Sequence, residues 1–217
     1  MQLIDKESIK FMFQSKAHHS IFASVVFASV CFLTVANPVL AQKSAKNPVI
    51  VMSIEKKGDM TIELLPGEAP KTVAHILQLV KSKFYDGILF HRLEKSDIYG
   101  VLQGGDPGTK KIDVAKIGNK SVPEVMQEFQ LGNGGSGKTV PLEASKSVHL
   151  RGTMGMARTD DPDTGDSQFF FSLIDNHQWD YKYCVFGKVT NGLKVMDSIR
   201  PWDKIKSVRM FVPKKKK

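Results

Sequence analysis

The stretch Phe90-His91-Arg92-Leu93, taken up again at Val101-Leu102-Gln103-Gly104-Gly105-Asp106-Pro107, decides how the rest of the chain reads. Ile88, Phe90 and Leu93 mark a strand, with period 2 through Phe90. Arg92 breaks that apolar pattern. A guanidinium stays charged at any working pH and fills a core badly unless it is paired. Arg92 therefore either closes a salt bridge or faces a ligand. Gly104-Gly105 ends the next strand and lets the backbone turn tightly. The strand pair thus presents a fixed cation and an amide, Gln103, to one surface.

Further stretches carry patterns of their own: Gly152 with Met154-Gly155-Met156-Ala157-Arg158, then Ser167-Gln168-Phe169-Phe170, then Val185-Phe186-Gly187-Lys188-Val189. With the first stretch, and in this order, they make residues 48–212 resemble the cyclophilin-type peptidyl-prolyl isomerases. The resemblance implies an all-β fold, a closed eight-stranded antiparallel barrel capped by two α-helices. The chain's own count, about eight strands and two helices with no βαβ alternation, supports an all-β barrel or sandwich. The implied activity is cis-trans isomerisation of Xaa-Pro bonds in exported proteins. The competing reading is a cyclophilin-fold peptide-binding or chaperone module with little or no turnover. By resemblance Arg92 is the catalytic arginine, and Gln103 orients it and binds the substrate carbonyl. Phe170 forms a pocket wall. Ala157, Arg158 and Thr159 offer an edge for the peptide, mainly through backbone, and Gln168 lines the neighbouring pocket. Isomerisation of this kind needs no cofactor and no metal, and the implied partners are proline-containing polypeptide segments.

The chain departs from that pattern near Arg92. Eleven positions separate Arg92 from Gln103, against eight in the usual pattern, so the inserted stretch Glu94–Tyr99 is expected to bulge. Gly100 stands where an aromatic is expected and Val101 where methionine is expected. Gln178 replaces a frequent tryptophan, Trp179 a usual leucine and Tyr183 a frequent histidine. Tyr99 or Trp179 is expected to refill the proline pocket.

Residues 1–41 read as a signal peptide. Lys6, Lys10 and Lys16 give a positive lead, and Ile21 to Val35 is an apolar run short for a spanning helix. Val39-Leu40-Ala41 suits cleavage before Gln42. The expected localisation is export, most simply to a bacterial periplasm with eukaryotic secretion or a thylakoid lumen as alternatives, as a monomer with no stable membrane insertion after cleavage; the long charged lead leaves a retained anchor as the other reading. Residues 42–48 form a flexible lead-in, 49–212 the isomerase-like domain and 213–217 a basic tail. The composition, 41% hydrophobic and 24% charged, suits a folded globular chain and argues against disorder. The net charge of +9 reads as scattered surface lysine, and no basic cluster with interleaved aromatics lies outside Lys214–Lys217, so nucleic acid is not an expected partner. Removing the leader leaves Cys184 as the one cysteine, which cannot bridge within the chain; among apolar neighbours it reads as a buried small hydrophobe.

Elsewhere the order is a hairpin around Lys57-Gly58-Asp59, then a helix opened by Pro70 with Val73, Ile76, Leu77 and Val80 as its apolar stripe. His75 beside that stripe reads as structural. Gly108 to Gly137 is a long polar segment ending in Gly132-Asn133-Gly134-Gly135-Ser136-Gly137-Lys138-Thr139, a literal match to the P-loop pattern. The context rejects nucleotide binding: no continuous apolar strand precedes it, and Pro141 opposes a following helix. Asp160 to Asp166 makes a poor calcium loop and reads as a solvated acidic turn. Strands over Leu150–Ala157, Gln168–Leu173 and Tyr183–Val189, a short helix after Asn191-Gly192 and a strand over Ile205–Val212 complete the reading.

Overall fold

A computed structural model describes residues 46–213. The expectations about the leader, its cleavage before Gln42 and Lys214–Lys217 lie outside these residues. Eight strands form one antiparallel sheet, curled into a half-barrel. They are β1 (Val49–Ile54), β2 (Gly58–Leu64), β3 (Arg92–Lys95), β4 (Gly100–Gly104), β5 (Thr153–Met156), β6 (Phe169–Ser172), β7 (Val185–Asn191) and β8 (Ile205–Met210). Their order across the sheet is β3-β4-β6-β5-β7-β2-β1-β8. The two edge strands approach each other through the segments that precede them. Leu89 bridges Lys204, Phe90 N–H donates to Asp203 O (3.0 Å) and Trp202 N–H donates to Phe90 O (2.7 Å).

Alternation along the strands sorts side chains between two faces. Leu102, Phe169, Phe171, Met154 and Met156 point into the core, together with Ile50, Met52, Met60, Ile62 and Leu64. The residues between them, Val101, Gln103, Phe170 and Gly155, fall on the opposite face. Tyr85, Phe90 and Phe171 meet the ring of Phe169 edge-on, at centroid distances of 5.7, 6.1 and 5.5 Å. Such geometry adds to the burial of the rings themselves.

Helix α1 (Pro70–Lys81) begins at the expected proline and packs beside β8. Its buried apolar residues are Val73, Ile76, Leu79 and Val80; Leu77 is only partly covered, so Leu79 takes the place expected for it. No side chain of its own caps it. The carboxylate of Glu143 accepts from the N–H groups of Lys71 (3.0 Å) and Thr72 (2.7 Å) instead, satisfying two first-turn donors from a distant loop. His75 is buried on this helix, with Nε2 at 3.4 Å from Asp166. Cys184 is buried as expected, and burial pushes its thiol up to about 12.

Two expectations are corrected. Among the described residues there are three α-helices rather than two. Inside the long polar segment, α2 (Val122–Glu128) starts at a capping box in which Ser121 and Glu124 bond reciprocally. It buries only Val125, against Leu89, Ile112, Ile117 and Leu131, so it has no apolar stripe to betray it. The third helix, α3 (Leu193–Ser198), is the short one expected after Gly192. Secondly, Glu94–Tyr99 does not bulge. Arg92 pairs Gln103, Leu93 pairs Leu102, Glu94 pairs Val101 and Lys95 pairs Gly100 without a break. The extra residues lengthen the hairpin, which turns over Ser96–Tyr99. The pairing is continuous from Arg92–Gln103 to Lys95–Gly100, so the added length is taken up towards the tip and the facing of Arg92 and Gln103 is undisturbed.

Phe169→Ala empties the centre of the aromatic cluster and is expected to cost about 3–5 kcal/mol of stability, read from urea unfolding midpoints.

Candidate active site

One row of the sheet builds the site. Arg92 lies opposite Gln103, Gln103 opposite Phe170 and Phe170 opposite Gly155. Gly155 is required there because a Cβ would collide with the Phe170 ring. Phe170 therefore lies over the backbone of β5. His149 stacks on it at 5.8 Å and 12°, while Trp179 (5.2 Å) and Tyr183 (5.8 Å) meet it edge-on. Phe170, Trp179, Tyr183, Val101, Ala157 and the two polar residues Arg92 and Gln103 surround a pocket of 110 Å³, with Arg158 at its rim. Its lining is aromatic on one side and cationic on the other.

Arg92 is held at two of its donors. Nε donates to Glu94 Oε1 (2.7 Å) and Nη1 to Gln103 Oε1 (3.2 Å). Among the described residues Nη2 has no partner. Gln103 Nε2 donates onward to Gln168 Oε1 (3.0 Å), and Tyr99 donates its hydroxyl to the second oxygen of Glu94. The hydrogen bonds from Arg92 and then Tyr99 hold the Glu94 carboxyl below the usual carboxylate range. The guanidinium is thus oriented by an acceptor at each end.

Gln168 does a different job. Its Nε2 donates to the carbonyls of Gly132 (2.9 Å) and Gly134 (2.8 Å), tying down the glycine-rich loop. Buried Asp106 accepts from the N–H groups of Gly108 (2.7 Å), Gly132 (2.6 Å) and Gly134 (3.2 Å). Asp166 accepts from Gly137 N–H (3.0 Å) and from Ser136. Three of the loop amides that a P-loop would turn on phosphate are spent on the protein's own carboxylates. The loop walls a larger cavity of 540 Å³, shared with Thr159, Asp166 and Gln168. Arg158 reaches both cavities, whereas Arg92 lines the smaller of the two and not the larger.

Of the residues singled out in the sequence, Arg92, Val101, Gln103, Ala157, Arg158, Phe170, Trp179 and Tyr183 meet at the pocket. Thr159 and Gln168 stand in the larger cavity, and Tyr99 stands in a third space beside Arg92 and Trp179. Of the two rings singled out together, Trp179 lines the 110 Å³ pocket and Tyr99 does not. The Arg158 guanidinium lies over the Tyr183 ring at 4.5 Å, with Nη1 donating to Thr159 O (2.7 Å) and Nη2 to Lys182 O (3.1 Å). Among the described residues the backbone N–H of Arg158 and the carbonyl of Ala157 have no partner, leaving an open edge for an extended peptide. The sequence reading missed Glu94, Asp106 and His149. Glu94 had a signal, since i and i+2 on a strand share a face. His149 had none.

The sequence model for the family described as "Cyclophilin type peptidyl-prolyl cis-trans isomerase/CLD" matches residues 49–214. A Brucella suis protein named "Probable peptidyl-prolyl cis-trans isomerase" is 34% identical over 183 residues, covering 82% of this chain and 86% of its own. The Helicobacter pylori peptidyl-prolyl cis-trans isomerase is 35% identical over 157 residues, covering 70% of this chain and 80% of its own. A Cryptosporidium parvum cyclophilin crystallised in the presence of the dipeptide Ala-Pro superposes with a TM-score of 0.60 at 24% identity, covering 76% of this chain and 99% of its own.

Burial lowers the pKa of both His91 and His149, outweighing the opposing pull of Asp106 on one and Asp180 on the other. The unfolded chain, with histidines near 6.5, then binds protons that the folded chain refuses. Stability should be full above about pH 7 and fall as the pH drops below about 6.5, by at most about 1.4 kcal/mol per pH unit for each histidine. Urea titrations from pH 7.5 to 5 check this, and His149→Gln should cut the slope by about half.

Proposed function

The chain belongs to the cyclophilin-type peptidyl-prolyl cis-trans isomerases, and we propose that it turns over Xaa-Pro bonds at the Arg92 pocket, in proteins that share its export route. The observation that carries the first part is the guanidinium held by Glu94 and Gln103 at the mouth of a small aromatic pocket. An Xaa-Pro amide resists rotation because of its partial double bond, with a barrier of about 18–20 kcal/mol. Half-way through rotation the nitrogen regains its lone pair and accepts a hydrogen bond that the planar amide cannot. A fixed N–H donor at that place stabilises the twisted state over both planar ones, which is what lowers a barrier.

In this reading Phe170, Val101, Trp179 and Tyr183 hold the proline ring. Arg92 donates through its unpaired Nη2 to the twisted nitrogen. Gln103 orients Arg92 and offers its amide to the carbonyl before the proline. Ala157 and Arg158 take the peptide backbone along their open edge, and Thr159 and Gln168 accommodate a side chain further along it. Ala-Pro, present with the C. parvum relative, is the minimal ligand of this chemistry. The bonds between the segments 87–90 and 202–205 support a barrel closed at that seam. The charged lead and apolar run of residues 1–41 support export to a periplasm, with the released domain acting as a monomer free of the membrane.

The test is the cis-to-trans rate of a short Xaa-Pro peptide, followed with the native chain and with Arg92→Ala. The native chain should accelerate isomerisation, and the variant should lose about a hundredfold or more in kcat/KM while melting at the native temperature. Glu94→Ala, which frees one end of Arg92, is expected to lower kcat by about tenfold with KM little changed. A native chain that binds the peptide without accelerating it would favour the binding module instead.

A further inference from the structure

The hairpin that carries Arg92 ends in a turn whose side chains take no part in the proline pocket. Ile98 at its tip is 79% exposed. One exposed aliphatic residue is ordinary, but Ile98 has company. Tyr99 and Trp179 stand beside it with ring centroids 6.2 Å apart, and the three join Arg92 and Gln178 around a cavity of 500 Å³. Arg92 and Trp179 also line the proline pocket, so the two spaces share a wall. The cavity under the glycine-rich loop shares neither residue and lies elsewhere along the groove.

The turn is built rather than loose. Ser96 N–H donates to Tyr99 O (2.8 Å), and Ser96 Oγ accepts from the N–H groups of Ile98 (3.4 Å) and Tyr99 (3.2 Å). The Tyr99 hydroxyl is anchored on Glu94, which also holds Arg92. Two of the walls, Ile98 and Tyr99, belong to the lengthened stretch between Arg92 and Gln103. Arg92 lines the space and discourages a basic guest, and its existing pairing with Glu94 reduces what it offers a carboxylate. A neutral aromatic or large aliphatic group would cover Ile98 and rest against the faces of Tyr99 and Trp179.

We propose that this space is a substrate subsite for a large apolar or aromatic side chain adjoining the proline, and that it biases the chain toward segments carrying such a neighbour. The proposal rests on the reading of the Arg92 pocket as the proline site. Consecutive residues are about 3.8 Å apart, so a ring seated in the pocket puts its neighbour's side chain within reach of the shared wall.

The test uses the full chain and two series of short peptides. One varies the residue just after proline and the other the residue just before it, through Gly, Ala, Leu and Phe. Isomerisation is followed by exchange spectroscopy, and dissociation constants are measured on the same peptides. In one series kcat/KM should rise about tenfold from Gly to Phe. In Ile98→Ser, an exposed substitution whose urea midpoint should match the native one, that gain should shrink to about twofold or less. Flat series at both positions, or a gain untouched in Ile98→Ser, overturn the subsite. Should no peptide be turned over, the isomerase reading falls by itself, and the Gly-to-Phe series of dissociation constants and its change in Ile98→Ser decide the subsite on the same two outcomes.

Discussion

Three cross-strand pairings, Arg92 with Gln103, Gln103 with Phe170 and Phe170 with Gly155, hold four residues in one row of the sheet. On their own face the row is supported by Phe170 seated on Gly155 and by the Arg92–Gln103 hydrogen bond. The opposite face adds the larger constraint, because Leu102, Phe169, Phe171 and Met154 belong to the main core. A slip of one residue would bury Arg92 and Gln103 and expose Leu93 and Leu102, a far larger loss than any gain on the outer surface. The placing of a cation against a ring is thus decided chiefly by apolar packing on the other side of the backbone.

Around that row the protein spends negative charge on position. Asp106 and Asp166 gather the amides of the glycine-rich loop, and Glu94 steadies Arg92. The Arg92–Glu94 pair is about two-fifths exposed on each side, so its contribution to stability is small. Its effect lies in geometry: with Nε and Nη1 engaged, the guanidinium plane has little freedom left, and Nη2 points where the two acceptors send it.

Much of this was legible beforehand. Period 2 around Phe90, the paired glycines after Gln103 and the proline at the start of α1 each carry a local physical signal, and the site row follows once the strands are aligned. What escaped was decided by tertiary contact. The second helix buries one residue, so only its capping box announced it. Whether extra residues bulge or extend a hairpin depends on how Lys95 and Gly100 pair, which no local pattern reports. His149 reaches Phe170 from a stretch without periodicity, held by Asp180 from another loop (2.7 Å to its backbone N–H). Asp106 looked like a turn residue after two glycines, and its role as an anchor appears only once the loop 26 positions further on folds back over it.

Cys184 sits under α1 with its sulfur 3.6 Å from the Thr72 hydroxyl. Burial raises its pKa well above the ordinary thiol value, so at neutral pH it stays a protonated thiol. Thiolate is the form that attacks disulfides, peroxides and alkylating agents, and the sulfur is also walled off from them. Between residues 49 and 212 there is no second sulfhydryl to pair with it. No disulfide within residues 49–212 can therefore contribute to the stability of this domain, which rests on its packed core and hydrogen bonds alone.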